Sequence, residues 1–202
     1  MRGVVTIIWL VIGGLTASFS LALLFPFGGR RNRAQHTIER LWARSTLAVA
    51  GVRVRCSGLD KIPAGPCIVV ANHASNLDPL IVMGHLVTEA RFVAKSELRW
   101  ALPLSIGMAA TGHIFIKRGS RKSGGRALGA AAASLGRGAK VLFFPEGTRS
   151  TATGMLPWKS GAFRLAIEAG APVLPLAIHG SAALWPSGQK TPRSGKLTAE
   201  VL

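Results

Sequence analysis

Beyond Gly51 the chain alternates between short apolar runs and stretches of helical periodicity. Residues 52–56 (VRVRC), 67–72 (CIVVAN), 91–95 (RFVAK), 113–117 (HIFIK), 140–144 (KVLFF) and 172–178 (PVLPLAI) have the length and the β-branched or aromatic content of strands. Between them, residues 79–87, 96–109, 121–136 and 160–169 read as helices, the second kinked at Pro103 and the third built of small residues. Strands separated by helices predict an α/β domain with a mostly parallel, twisted sheet flanked by helices. Ligands of such sheets gather outside the carboxyl ends of the strands, so the polar residues that follow each apolar run carry the functional weight. The last residues, GKLTAEVL, begin one more strand, and the chain stops inside it, which predicts a truncated C-terminus. The small-residue helix GGRALGAAAASLGRG fits neither the dinucleotide fingerprint nor the P-loop.

Ahead of this domain, residues 3–29 form an uncharged run of 27 residues, longer than the roughly 20 that a helix needs to cross a bilayer core. A cleaved signal peptide has a shorter apolar region and a small-residue cleavage site, whereas here Arg30, Arg31 and Arg33 follow, so the expected role is a membrane anchor. Gly13, Gly14 and Pro26 leave a full span, a shallow hairpin and an in-plane helix all open. If the segment spans, the arginines hold the rest of the chain on the cytoplasmic side. Residues 34–50 place Ile38, Leu41, Trp42 and Val49 near one helical face, which suits either a second interfacial helix or an amphipathic helix packed on the domain. The expected organisation is a membrane-anchoring helical segment over 1–50 and one folded domain over 51–202.

Charge sharpens this picture. The formal net charge is +17, from 25 Lys and Arg against 8 acids, yet 49% of residues are hydrophobic, which excludes a disordered basic tail. A basic surface of this kind attracts anionic lipid or nucleic acid. Aromatic residues make up only 6%, none is Tyr, and no nucleic-acid-binding motif is present, so nucleic acid is not an expected partner. Cys56 and Cys67 form no CxxC and have no clustered histidines, so they read as small buried hydrophobes, with no metal site expected.

Three polar clusters follow strands: His73 to Asp78 after CIVVAN, Lys117 and Arg118 after HIFI, and Glu146 to Ser150 after KVLFFP. In a parallel sheet all three converge on one edge. A neutral imidazole takes a proton from an alcohol, and a carboxylate on its other nitrogen fixes the tautomer, so His73 and Asp78 are a candidate catalytic pair. Asp78 followed by Pro79 also suits the N-cap and first position of the next helix, and that reading stands beside the catalytic one. Lys117, Arg118 and Arg149, with Gly147 and Thr148 in the turn PEGTRS, are candidates for holding an oxyanion, because a guanidinium grips phosphate through two parallel hydrogen bonds. Glu146 cannot usefully face a phosphate and is expected to orient Arg149 or a neighbouring cation.

NHASNLD, GHIFIKR, FPEGTRS and VLPLAI, in this order across residues 72–178, resemble the four motif blocks of the glycerolipid acyltransferases, and most closely the bacterial lysophosphatidic acid acyltransferases. LPWKSGAF, with Lys159, resembles the segment that follows the third block, with Trp158 in place of the more usual phenylalanine. The resemblance implies transfer of a fatty acyl group from an acyl-CoA or acyl carrier protein thioester to the hydroxyl of a lysophospholipid, giving phosphatidic acid, with no other cofactor. It implies His73 as general base with Asp78 as its partner, and Arg118, Glu146, Gly147 and Arg149 as the glycerol-phosphate site. It also implies a membrane-associated protein on the cytoplasmic face of a bacterial inner membrane. No covalent acyl-enzyme is implied, and no G-x-S-x-G or cysteine beside the histidine is present. Transfer to another lysolipid, such as a lyso-ornithine lipid, and non-catalytic binding of lipid or nucleic acid by a tethered basic protein are the alternatives.

Overall fold

In the computed structural model, which describes residues 1–28, 33–87, 89–101, 104–117, 119–150 and 154–202, seven strands form a single sheet. They are β1 (Val52–Ser57), β2 (Ile68–Ala71), β3 (Ala90–Lys95), β4 (Ile114–Ile116), β5 (Lys140–Phe143), β6 (Val173–His179) and β7 (Gly195–Val201). Their spatial order is β1-β7-β6-β2-β5-β3-β4. Every junction is parallel except β6–β7, so β1 and β7 run against the other five. The expected last strand is present as Gly195–Val201, which lies between β1 and β6.

The central strand β2 is buried on both faces, which is why it reads as an unbroken apolar run rather than an alternation. Ile68 and Val70 face a layer made by α5 (Arg121–Gly136) and α6 (Gly161–Ala169), where they meet Ala127, Ala131, Ala162 and Leu165. Val69 and Ala71 face the opposite layer, with Leu80 and Ile81 of α3 (Asp78–His85) and Ala43 and Leu47 of α2 (Arg33–Ala50). Cys67 lies in this core, while Cys56 is half-buried. The small-residue helix α5 has the predicted bounds, and its N-cap Ser120 accepts a hydrogen bond from the Ser123 N–H.

Two expectations are corrected. The single helix over 96–109 is instead a 3₁₀ turn at Ser96–Trp100 and a separate helix, α4 (Leu104–Ala110); Pro103 itself lies outside the described residues. A helix interior does not tolerate a residue that lacks an N–H, so a break around a proline is the cheaper solution. In α2 the buried stripe is Gln35, His36, Glu39, Ala43, Thr46, Leu47 and Ala50, while Leu41 is exposed and Ile38, Trp42 and Val49 are only half-buried. Of the two readings left open for this helix, packing on the domain is the one observed, and on a face that apolar periodicity did not mark.

The N-terminal run is one helix, α1 (Arg2–Gly28), long and apolar enough to cross a membrane by length and composition. It lies against α2 and α4, with Thr6, Ser18 and Leu21 buried and Ile7 and Leu10 against the core. Gly107 of α4 allows the close approach, because a Cβ there would fall 2.6 Å from Ser18 Oγ. The outward face of α1 exposes Val4, Ile8, Val11, Ile12, Leu15 and Phe19. Arg30 and Arg31 lie outside the described residues.

Candidate active site

The chain leaves β2 at Ala71 and reaches His73 two residues later, at the carboxyl edge of the central strand. Asn72 fixes the exit: its Nδ2 donates to Ile178 O and its Oδ1 accepts from Ile178 N–H, both at 2.8 Å. His73 Nδ1 then lies 2.9 Å from Asp78 Oδ2. The same oxygen accepts from the N–H groups of Ala74 and Ser75, each at 2.7 Å. Asp78 is fully buried and the His73 side chain is 12% exposed, so the imidazole is the part of the pair that solvent and substrate reach. The cap reading of Asp78 does not hold, since Leu77 is the N-cap of α3 and the carboxylate makes no cap hydrogen bond. The turn over residues 74–77 directs that carboxylate backwards, onto the N–H groups of Ala74 and Ser75 rather than onto the helix.

The loop after β5 grips His73 by its backbone. Glu146, 3% exposed, accepts from His73 N–H through Oε1 at 2.7 Å and from Leu156 N–H through Oε2 at 2.9 Å. Ser150 N–H donates to the His73 carbonyl at 2.7 Å. The sequence pattern predicts that Glu146 orients Arg149 or a neighbouring cation; instead both carboxylate oxygens are occupied by backbone N–H groups, which satisfy a buried acid. Arg149 is held instead by Asn76, whose Oδ1 accepts from Nη1 at 2.6 Å. Gly147 has φ +73°, and a Cβ there would fall 2.6 Å from Lys159 Nζ, so the glycine both makes the turn and lets the ammonium lie over it. Arg149, Lys159 and the Gly147 turn thus form a cationic rim on the loop that grips the His73 backbone.

The remaining candidates are less closely joined. Thr148 is exposed on the same turn. Lys117 lies at the end of β4, three places from β2 in the sheet, with its N–H donated to Ser123 Oγ and its side chain exposed. Arg118 lies outside the described residues. Two residues were not marked by sequence reasoning. Phe144 stacks on the His73 ring, with centroids 4.2 Å apart and planes 21° apart, and Asn76 positions Arg149. Phe144 passed as ordinary strand residue; its signal was its place directly before PEGTRS, where a side chain faces the carboxyl edge.

Sequence and fold both have known relatives. A family model described as Acyltransferase matches residues 53–179. A 1-acyl-sn-glycerol-3-phosphate acyltransferase of Chlamydomonas reinhardtii is 38% identical over 184 residues, covering 89% of this chain and 54% of its own length. One from Pseudomonas aeruginosa is 33% identical, covering 85% of this chain and 66% of its own. The crystal structure of the 1-acyl-sn-glycerophosphate acyltransferase PlsC from Thermotoga maritima superposes with a TM-score of 0.79 at 26% identity, covering all of this chain and 86% of that one. The chain spans about half the length of the first of these relatives. The matched residues hold the whole His73–Asp78–Glu146–Arg149 cluster and well over half of the sequence, and the chain belongs to the acyltransferase family.

Proposed function

We propose that the protein transfers a fatty acyl group from an acyl thioester to the free hydroxyl of lysophosphatidic acid, forming phosphatidic acid. The observation that carries this reading is the His73 Nδ1–Asp78 Oδ2 pair, 2.9 Å long, with its carboxylate fully buried. With Nδ1–H donated to Asp78, the Nε2 lone pair is free to take a proton. The acceptor hydroxyl gives its proton to Nε2 as its oxygen attacks the thioester carbonyl. The tetrahedral adduct then collapses, the C–S bond breaks, and the departing thiolate takes the proton from the imidazolium. Asp78 stabilises the imidazolium between these steps. Arg149 and Lys159 hold the acceptor phosphate, and the clasp by Glu146 and Ser150 keeps the imidazole in place. The names of the relatives support this substrate.

The same reading places the enzyme at a membrane. The outward apolar face of α1, with its inward face packed on α2 and α4, favours a helix lying in the interface over one that crosses the bilayer alone. Thirteen of the 25 basic residues lie from Arg91 to Arg164, against two acids, and suit an anionic cytoplasmic leaflet.

The test is a radiolabelled acyl-transfer assay in detergent, with a panel of lysolipid acceptors and with both coenzyme A and carrier-protein thioesters. Transfer to lysophosphatidic acid that is lost in His73→Ala is the expected result. A protein that acylates only a phosphate-free lysolipid would remove the acceptor assignment and leave the chemistry.

A further inference from the structure

We infer that the groove between α4, the edge strand β4 and α5 docks the phosphate-bearing nucleotide half of a coenzyme A-type acyl donor, an inference that rests on the acyl-transfer reading above. The groove encloses about 970 Å³, near the upper end of the roughly 300–1,000 Å³ usual for small-molecule sites. Its lining includes Arg99, Lys117, Arg126 and Arg137 and, among the described residues, no acidic one. Among the described residues none of these four has a carboxylate partner, so each keeps its charge for a ligand. Unpaired cations gathered in one concave site, instead of scattered over a convex face, are what a ligand with several phosphates requires.

The shape of the groove also fits. Its α5 wall carries Arg126, Ala130, Ala133 and Arg137, spaced so that all four fall on one helical stripe. The alanines leave room for a thin chain between the cations. From Ser123 to Arg137 the wall runs about 21 Å at 1.5 Å per residue. Across the groove, the Arg99 guanidinium lies 5.0 Å from the centre of the Phe115 ring, a cation and an aromatic face of the kind that planar bases stack on.

The groove opens where the thioester is needed. Lys117 follows β4 and Arg99 follows β3, both at the carboxyl edge that carries His73. β4 is three strand positions from β2, about 14 Å at the usual spacing. Phosphates between Arg99, Lys117 and Arg126 would leave the flexible arm of the donor to cross that distance along the sheet edge.

The experiment compares the full chain with Arg99→Gln/Arg126→Gln, Arg99→Lys/Arg126→Lys, and the control Arg53→Gln/Arg55→Gln, which removes the same charge from exposed positions on β1. Titration calorimetry with free coenzyme A is paired with steady-state transfer from palmitoyl-coenzyme A to lysophosphatidic acid. The Gln pair should raise the coenzyme A Kd and the donor KM at least about tenfold, with turnover, the acceptor KM and the thermal midpoint unchanged. The Lys pair should keep most of the affinity, and the control should match the wild type. Equal losses in the control would reduce the effect to net charge and overturn the inference. So would an active enzyme whose donor KM ignores the Gln pair, or one that accepts only a carrier-protein thioester and binds no coenzyme A. Wild-type protein inactive with every thioester would instead sink the acyl-transfer reading, and this inference with it.

Discussion

All three hydrogen bonds to the Asp78 carboxylate fall on Oδ2, while Oδ1 is buried without a partner among the described residues. Asn can therefore keep the three bonds through its carbonyl oxygen and place its NH₂ where Oδ1 now lies, so Asp78→Asn removes little but the charge. The unpaired NH₂ should cost about 1–3 kcal/mol of stability. Turnover should fall at least about a hundredfold, as general-base catalysis supplies about 10²–10⁴ in rate, and near-normal turnover in a folded variant would contradict the paired role. Arg149 and Glu146 should separate in kinetics. Arg149→Ala should raise the acceptor KM about tenfold or more and spare the donor KM, because one charge-assisted contact is lost. Glu146→Ala frees the His73 and Leu156 N–H groups, so it should lower both the midpoint and turnover with the acceptor KM held. A raised acceptor KM in Glu146→Ala would return that residue to the phosphate site.

At the scale of single elements, α2 shows how an inward face can be polar. Glu39 Oε1 lies 3.0 Å from His113 Nε2, its Oε2 lies 3.3 Å from His36 Nδ1, and His36 Nε2 lies 3.2 Å from Arg91 Nη1. This network ties the helix to β3 and to the start of β4. Burial alone would push the Glu39 carboxyl up, but the attraction and hydrogen bond of His113, with the hydrogen bonds of His36 and Thr111, outweigh it and hold the group well below the ordinary value of 4.5. A depressed carboxylate contributes stability that is present above its unfolded value and is lost as the pH falls below about 4.5. Glu39→Ala should cost about 3–5 kcal/mol at neutral pH, since it leaves buried partners uncompensated. Its midpoint should also fall less steeply between pH 5 and 3 than that of the wild type, a window set by the ordinary carboxylate value. Parallel acid profiles would show that Glu39 is not the group that titrates.

For the whole molecule, α1 joins two tasks that the chain order suggested were separate. Its inward residues Thr6, Ser18 and Leu21 are buried on the domain while Ile8, Ile12 and Phe19 point outward. Deleting residues 1–28 should therefore lower the thermal midpoint as well as weaken vesicle binding. Binding by the intact chain to neutral vesicles should survive high salt, and the added affinity for anionic vesicles should fall with it, as a net charge of +17 dictates. Sedimentation with vesicles of both compositions measures each part. A deleted protein with an unchanged midpoint would make α1 an anchor alone.

Most strand and helix positions, the sheet edge that gathers the polar clusters and the pairing of His73 with Asp78, offered there beside a cap reading, were legible in the residue pattern, because apolar runs and local spacing carry their own physical signal over a few residues. The buried face of α2 was not, since His36 and Glu39 are polar and become inward residues only when Arg91 of β3 and His113, just before β4, arrive to satisfy them. Nor was the grip of Glu146 on His73, 73 residues away. The reversed β1–β7 pair and the groove beside β4 belong to the same class. Partners distant in sequence leave no periodicity behind, and only the folded sheet brings them within hydrogen-bonding reach.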